Sequence, residues 1–404
     1  MRHSLAKNKS STGTESVSLH RAVGGKIGVH SKVKVRSSHD LSLAYTPGIA
    51  QVSLAVAKNP SRAFELTLKK NSLAVISDGS KVLGLGNLGA VGAIPVMEGK
   101  AVLFKEFAGI DAFPICIQTQ ETKEIISIIR NISPVFGAIN LEDFTAPKCF
   151  EIEAGLQDLG IPVFHDDQHG TTIVVCAALL NAAKVVKKPF SSLRVCINGA
   201  GAAGNAIAKM LMRKNDSHGF PSVKEIILCD SKGILSSHRG DLDFAKKELL
   251  RFTNPHKIVG RLSDALAGMD VFIGVSVADA LNPDWIKQMS KNPIIFALAN
   301  PTPEIMPDVA RKAGAFIVAT GRSDFPNQVN NALVFPGIFR GALDAHAVRI
   351  TEGMNNVATH TLANMVPFPT REKILPPLLD RSVAKKIAAA VKAQALKEKV
   401  TRST

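Results

Sequence analysis

Apolar positions along this chain gather into short β-rich runs, each ending in polar residues and followed by a stretch with helical spacing. Leu73–Ser77, Ala112–Ile117 and Pro134–Asn140 are runs of this kind, and the last two lead into helical patterns at Glu121–Arg130 and Pro147–Leu159. Farther on, "IPVF" ends in "HDDQHG" and gives way to an apolar helix over Thr172–Val186. Leu193–Asn198 is followed by "GAGAAG", a helix over Asn205–Arg213 and the run "EIILCD". The alternation predicts an α/β fold built on mostly parallel sheets. Between the first two runs, Lys81–Gly92 ("KVLGLGNLGAVG") is too broken by glycine for a regular element. The pattern divides the chain into a polar, flexible tail (1–25), a first α/β unit (26–160), a second (161–385) and a basic surface helix or tail (386–404).

Composition agrees with two domains and narrows the partners. A chain of 404 residues with 46% apolar content exceeds one typical domain and has enough apolar material for a sizeable core. Aromatic residues make up 5%, which argues against a nucleic-acid binder that stacks bases on exposed rings. The net charge of +15 is concentrated at the ends: residues 1–37 carry +7 and residues 371–404 carry +6, leaving +2 for the body. Solvated basic ends, with weak attraction for anionic ligands as the functional alternative, account for this better than a nucleic-acid surface. The five cysteines lie in apolar surroundings without metal-ligand spacing, as free thiols of a reducing cytoplasm do. No apolar run approaches the ~18 residues of a membrane span, and the N-terminus lacks the apolar segment of a secretory signal.

Chemistry enters at the strand ends. Gly199-Ala200-Gly201-Ala202-Ala203-Gly204 sits between a predicted strand and a predicted helix, the context of a dinucleotide loop. Its glycines permit the tight turn, the approach of a pyrophosphate and the packing of helix on strand. Asp230 closes the next strand 26 residues past Gly204, where a ribose-binding carboxylate belongs; Lys232 beside it offers a charge to a 2′-phosphate, so NAD is favoured only slightly over NADP. Two acidic couplets, Glu142-Asp143 and Asp166-Asp167, follow apolar runs, where adjacent carboxylates are costly without a cation between them. Three carboxylates plus water and substrate oxygens suit Mg²⁺ or Mn²⁺; capping or salt-bridged acids are the plainer reading. His165 and His169 lie nearby, but zinc would want more nitrogen or sulfur. Tyr45 is the single tyrosine, Lys100 and Lys105 compete as a base in or beside an apolar run where burial lowers a lysine pKa, and Lys81 can meet a substrate carboxylate.

Together, "SLAYTPG", "ISDGSKVLGLGNLGAVGAIPVMEGKAVLFKEFAGIDAFPI", "INLEDF", "FHDDQHGT", "INGAGAAG", "FALANPTPEI" and "GRSDFPNQVNNALVFPGIFRGALD" resemble the short bacterial type of the malic enzyme family, over roughly residues 28–345. The resemblance implies an N-terminal α/β malic-enzyme domain followed by a doubly wound, Rossmann-type NAD(P)-binding domain. It also implies oxidative decarboxylation of L-malate to pyruvate and CO₂ with NAD or NADP and Mg²⁺ or Mn²⁺, with oxaloacetate decarboxylation as a partial reaction. By the same resemblance Glu142, Asp143 and Asp167 are metal ligands supported by Asp166; Lys100, rather than Lys105, is the base and Tyr45 the acid; and Asn300 and Asn331 bind substrate, Asn300 also standing beside the cofactor. Where larger eukaryotic members have an arginine for the substrate carboxylate this chain has Lys81, a point charge in place of a two-pronged clamp. The sequence ends at Thr404 without the phosphotransacetylase-like domain of long bacterial relatives, which puts acetyl-CoA-type regulation in doubt. Malolactic conversion to lactate is the alternative within the family, and a non-catalytic nucleotide-binding protein the alternative outside it. The expected partners are malate and further copies of the chain in a homodimer or larger assembly, with no nucleic acid and no membrane.

Overall fold

A computed structural model describes residues 2–212 and 219–402. Arg213, the expected end of the helix after the glycine loop, and Thr404 lie outside the described residues. Ten strands in two sheets are found among the described residues. The first sheet has β1 (Ser72–Ser77), β2 (Asp111–Cys116), β3 (Ala138–Leu141) and β4 (Val163–His165), all parallel in the order β2-β1-β3-β4. The second holds β5 (Arg194–Asn198), β6 (Glu225–Asp230), β7 (Gly233–Ile234), β8 (Val271–Gly274), β9 (Ile294–Ala297) and β10 (Ile317–Thr320). Its order is β10-β9-β8-β5-β6-β7, parallel except for β7. The α/β alternation read from the sequence is present, as an N-terminal domain plus a Rossmann-type domain.

Both sheets change direction of winding at a central strand. β1 has β2 on one side and β3 on the other, and β5 likewise separates β6 from β8. A crevice opens beyond the carboxyl end of such a strand, because the helices that follow its neighbours pack on opposite faces. Strands β1, β3, β6, β8, β9 and β10 are buried almost throughout, which explains why they read as continuous apolar runs rather than alternating ones.

Several expectations need correction. β4 pairs with β3 in the first sheet, so the division expected at 160/161 falls one strand too early. One core cluster also runs from Leu73, Met97 and Phe104 in the first unit to Val195, Phe296 and Phe339 in the second, so the two sheets share packed apolar material. Residues Gly89–Ala108 form a helix of 20 residues where the sequence reading saw only a broken glycine stretch up to Gly92. Packing overrides propensity there: Ala93, Met97, Ala101 and Phe104 are buried at helical spacing despite three glycines and an internal proline. Part of the run Pro134–Asn140 is a 3₁₀ turn, Ser133–Val135, and the strand begins at Ala138. The segment expected to be a flexible tail is helical over Arg2–Val23.

The C-terminal segment is not a solvated tail either. Helix Ser382–Lys397 buries Val383, Ile387, Ala388 and Val391 against helix Phe335–Asp344. Gly337 and Gly341 permit this approach, since added Cβ atoms would lie 2.8 and 2.6 Å from the carbonyl oxygens of Ala384 and Ala388. Finally, helix His169–Val186 is, against expectation, long and apolar enough to cross a membrane, with 18 residues of mean hydropathy 1.5. It is 72% buried inside the protein, as a core helix whose apolar side chains share one cluster with residues of both sheets.

Candidate active site

The carboxyl end of the first sheet is where the two acidic couplets meet. Sheet hydrogen bonding continues one residue beyond β3 and β4: Glu142 N–H donates to Ile76 O (2.8 Å) and Asp166 N–H to Leu141 O (3.1 Å). The chain then turns sharply at Asp143, whose φ of +58° is left-handed, a conformation aspartate tolerates better than most residues. Two bonds hold the turn: Asp143 N–H donates to Asp167 Oδ2 (2.8 Å), and Lys81 N–H donates to Asp143 O (3.1 Å). As a result one carboxylate oxygen from each of Glu142, Asp143 and Asp167 comes within 4.8 Å of the others. Asp166 lies outside this group of three and pairs with Lys100, which also lies 3.1 Å from Glu142 Oε1 and over the Phe335 ring.

Electrostatics shows what this arrangement lacks. Burial, reinforced by the neighbouring carboxylates and opposed by Lys100, pushes Glu142 well above the usual carboxylate range. Burial and Asp167 together lift Asp143 to about 7. Asp166 is raised by burial despite its lysine partner, whereas Asp167, surrounded by His165, Lys81 and Lys100, stays below the ordinary value. Three clustered carboxylates, two of them buried at a cost to their ionised forms and the third held ionised, are a donor set that fits a hard divalent cation. His165 is buried with neither ring nitrogen hydrogen-bonded, burial lowering its pKa, and His169 turns to Glu153 (2.9 Å), so neither joins the cluster.

The expectation that burial lowers the Lys100 pKa is overturned. Burial acts in that direction, but Asp166 and Glu142 beside the ammonium more than offset it and raise the value above the ordinary lysine range. Lys105 is exposed and pairs with Asp111 (2.7 Å) on the outer side of the same helix.

A cavity of about 460 Å³ contains Lys81, Lys100, Glu142, Asp143 and Asp167 on one side and Ala203, Asn300 and Asn331 on the other. Residues predicted from both halves of the chain thus meet in one space. Sequence reasoning missed other members of the lining, among them Lys26 and Ser276, which come from separated segments without a local motif, and Asn330 and Phe335, which lie beside Asn331 in a stretch singled out for Asn331 alone. Tyr45 does not line this cavity; it follows helix Ser38–Ala44 and is 65% exposed.

A second cavity, of about 380 Å³, lies at the carboxyl ends of β5, β6 and β8 and includes Gly199, Gly201, Asp230 and Ser276. Gly199 has φ +120°, and a Cβ on Gly204 would lie 1.8 Å from Gly199 O, so the loop shape requires both glycines. Ala202 begins helix Ala202–Leu211 and is buried behind the loop. Ser276 lines both cavities, so the two lie next to one another. Asp230 faces two cations that the sequence reading did not identify. Arg239 donates to both of its oxygens (2.7 and 3.1 Å) and Lys246 to Oδ2 (3.0 Å). Burial alone would raise its pKa, and these partners hold it below the usual range. Lys232, the expected phosphate partner, is exposed, pairs with Asp241 (2.9 Å) and lies outside the lining.

Comparison with known proteins accounts for both halves of this arrangement. The family model described as "Malic enzyme, N-terminal domain" matches residues 25–157, and "Malic enzyme, NAD binding domain" matches residues 168–396. The bifunctional malic/malolactic enzyme of Bacillus subtilis is 49% identical over 96% of this chain and 94% of its own length. An NADP-dependent malic enzyme of Halomonas elongata is 44% identical over 88% of this chain and 82% of its own. The crystal structure of an NAD-dependent malic enzyme from Thermotoga maritima superposes with a TM-score of 0.89 at 49% identity, covering 93% of this chain and 98% of that one. With both halves matched, and with the acid cluster and the glycine loop opening on neighbouring cavities, the chain belongs to the malic enzyme family.

Proposed function

We propose that the protein catalyses the divalent-metal-dependent oxidative decarboxylation of L-malate to pyruvate and CO₂, reducing NAD⁺ or NADP⁺, with oxaloacetate as a substrate for the decarboxylation half. The observation that carries this reading is the single cavity shared by the Glu142–Asp143–Asp167 cluster, Lys100, Ala203 and Asn300. Mg²⁺ or Mn²⁺ held by the three carboxylates would acidify the malate hydroxyl, stabilise the negative oxygen formed on loss of CO₂ and offset the carboxylates' pull on Lys100. NAD⁺ or NADP⁺ held along the Gly199–Gly204 loop would supply the acceptor for the hydride from C2. Lys100, packed on Phe335 and oriented by Asp166, takes the hydroxyl proton. Asn300 and Asn331 orient the substrate, and Lys81 meets one of its carboxylates.

Tyr45 is the proposed acid for the enol carbon, and it reaches the site only if a second copy of the chain brings its own Tyr45 to the cavity mouth. Exposed Leu41, Leu43 and Leu54 around it form the apolar face that such a homodimer would cover. At the ribose end the Asp230 carboxylate favours NAD⁺ slightly, while Arg239 and Lys246 beside it keep NADP⁺ usable. The name of the Bacillus subtilis relative supports lactate production as a second reading. Initial rates with malate and Mn²⁺, comparing NAD⁺ with NADP⁺ and followed by product identification, test the proposal. Free pyruvate with stoichiometric NAD(P)H is expected; lactate without free NADH establishes the malolactic reading, and no turnover of malate overturns both.

A further inference from the structure

Beyond the cluster, the main cavity has one charged side chain with no role in the reaction above. Lys26 belongs to the basic N-terminal stretch, yet its side chain turns inward and lines the cavity together with Pro95, Val96, Gly99 and Lys100. Its Nζ donates to Pro95 O (2.7 Å), its backbone N–H donates to Glu98 Oε2 (3.1 Å), and a Cβ on Gly99 would lie 3.5 Å from Nζ. These contacts place the ammonium one helical turn before Lys100. An ammonium has three donor hydrogens, and Pro95 O takes one.

Charge balance gives the position a use. Four carboxylates (Glu142, Asp143, Asp166 and Asp167) face Lys81, Lys100 and, when bound, a divalent ion, so the site is formally neutral before substrate enters. A dianionic hydroxy acid and a nicotinamide cation leave one negative charge without a partner. Lys81, whose charge also acts on Asp143 and Asp167, is already counted in this balance and so leaves that charge unmet. Among the described residues lining the cavity, Lys26 is the one further cation.

We propose that Lys26 is a substrate-binding residue whose ammonium holds the carboxylate that the acid cluster does not engage, giving the site its preference for dicarboxylates over monocarboxylic 2-hydroxy acids. This rests on the functional reading above but has a separate test. Lys26→Met, Lys26→Gln and Lys26→Arg are compared with the unaltered protein in the presence of Mn²⁺ and NAD⁺. The readouts are KM and kcat for malate, and calorimetric binding of tartronate and glycolate, hydroxy acids with and without a second carboxylate. Losing a charged hydrogen bond predicts a KM increase of roughly 10- to 100-fold in Lys26→Met and Lys26→Gln, with kcat little changed, and recovery in Lys26→Arg. Tartronate binding weakens by a similar factor, and glycolate binding stays as it was. Equal weakening of both acids, or wild-type behaviour of Lys26→Gln, overturns the proposal: the first makes Lys26 a general support of the site, the second makes its charge irrelevant. If the unaltered protein fails to turn over malate, the functional reading fails, and the tartronate and glycolate arm still decides the role of Lys26.

Discussion

The carboxyl ends of the two sheets handle acidic residues in opposite ways. At the end of the first sheet four carboxylates, three of them buried, face two lysine side chains, and burial pushes Glu142 and Asp143 upward. At the end of the second, Asp230 stands between Arg239 and Lys246, which hold its carboxyl below the usual range. One set of charges is incomplete and the other is already satisfied. An incomplete set is stable only with an added cation or with protons, so the first end calls for something that binds, whereas the second presents an already neutralised rim beside the glycine loop.

Substitutions at each end sharpen the contrast. The largest effect is expected at the incomplete set: Asp167→Ala should reduce NAD(P)H formation from malate by more than the ~10- to 100-fold typical of outer-shell partners of metal sites, with the fold retained by circular dichroism. Lys100→Ala should cost about 10²–10⁴-fold in kcat, the usual range for a positioned proton carrier. Lys105→Ala removes an exposed pair with Asp111 and should leave kcat nearly unchanged; the opposite ranking of the two lysines would show that the wrong one was assigned. Smallest is the effect at the satisfied rim. Asp230→Asn should raise KM for NAD⁺ by roughly tenfold or less and leave kcat intact, because the carboxylate there tunes cofactor choice without touching the reacting atoms.

Much of this was legible in the residues. Alternating runs announced parallel sheets, and couplets placed just after β3 and β4 announced a site at the strand ends, since both follow from local pattern. The Gly199–Gly204 loop was readable for the same reason: its function depends on neighbours in sequence. Other features depend on contacts between distant segments. Helix Gly89–Ala108 forms in spite of its glycines because Met97 and Phe104 find a core. The partners of Asp230 come from a loop and a separate helix, and the raised pKa of Lys100 depends on Asp166, 66 residues away. Lys26 looked like part of a solvated basic end until folding turned it into the cavity. Tyr45 is the reverse case, a residue whose expected role the fold of one chain does not complete.

The central claim is that Glu142, Asp143 and Asp167 form a divalent-cation site. Calorimetric titration of EDTA-treated protein with Mn²⁺, for the unaltered chain and for Asp167→Asn, tests it most directly. The account predicts saturable binding of one ion per chain that is lost in Asp167→Asn; absence of saturable binding in the unaltered chain, or equal binding in both proteins, would contradict it.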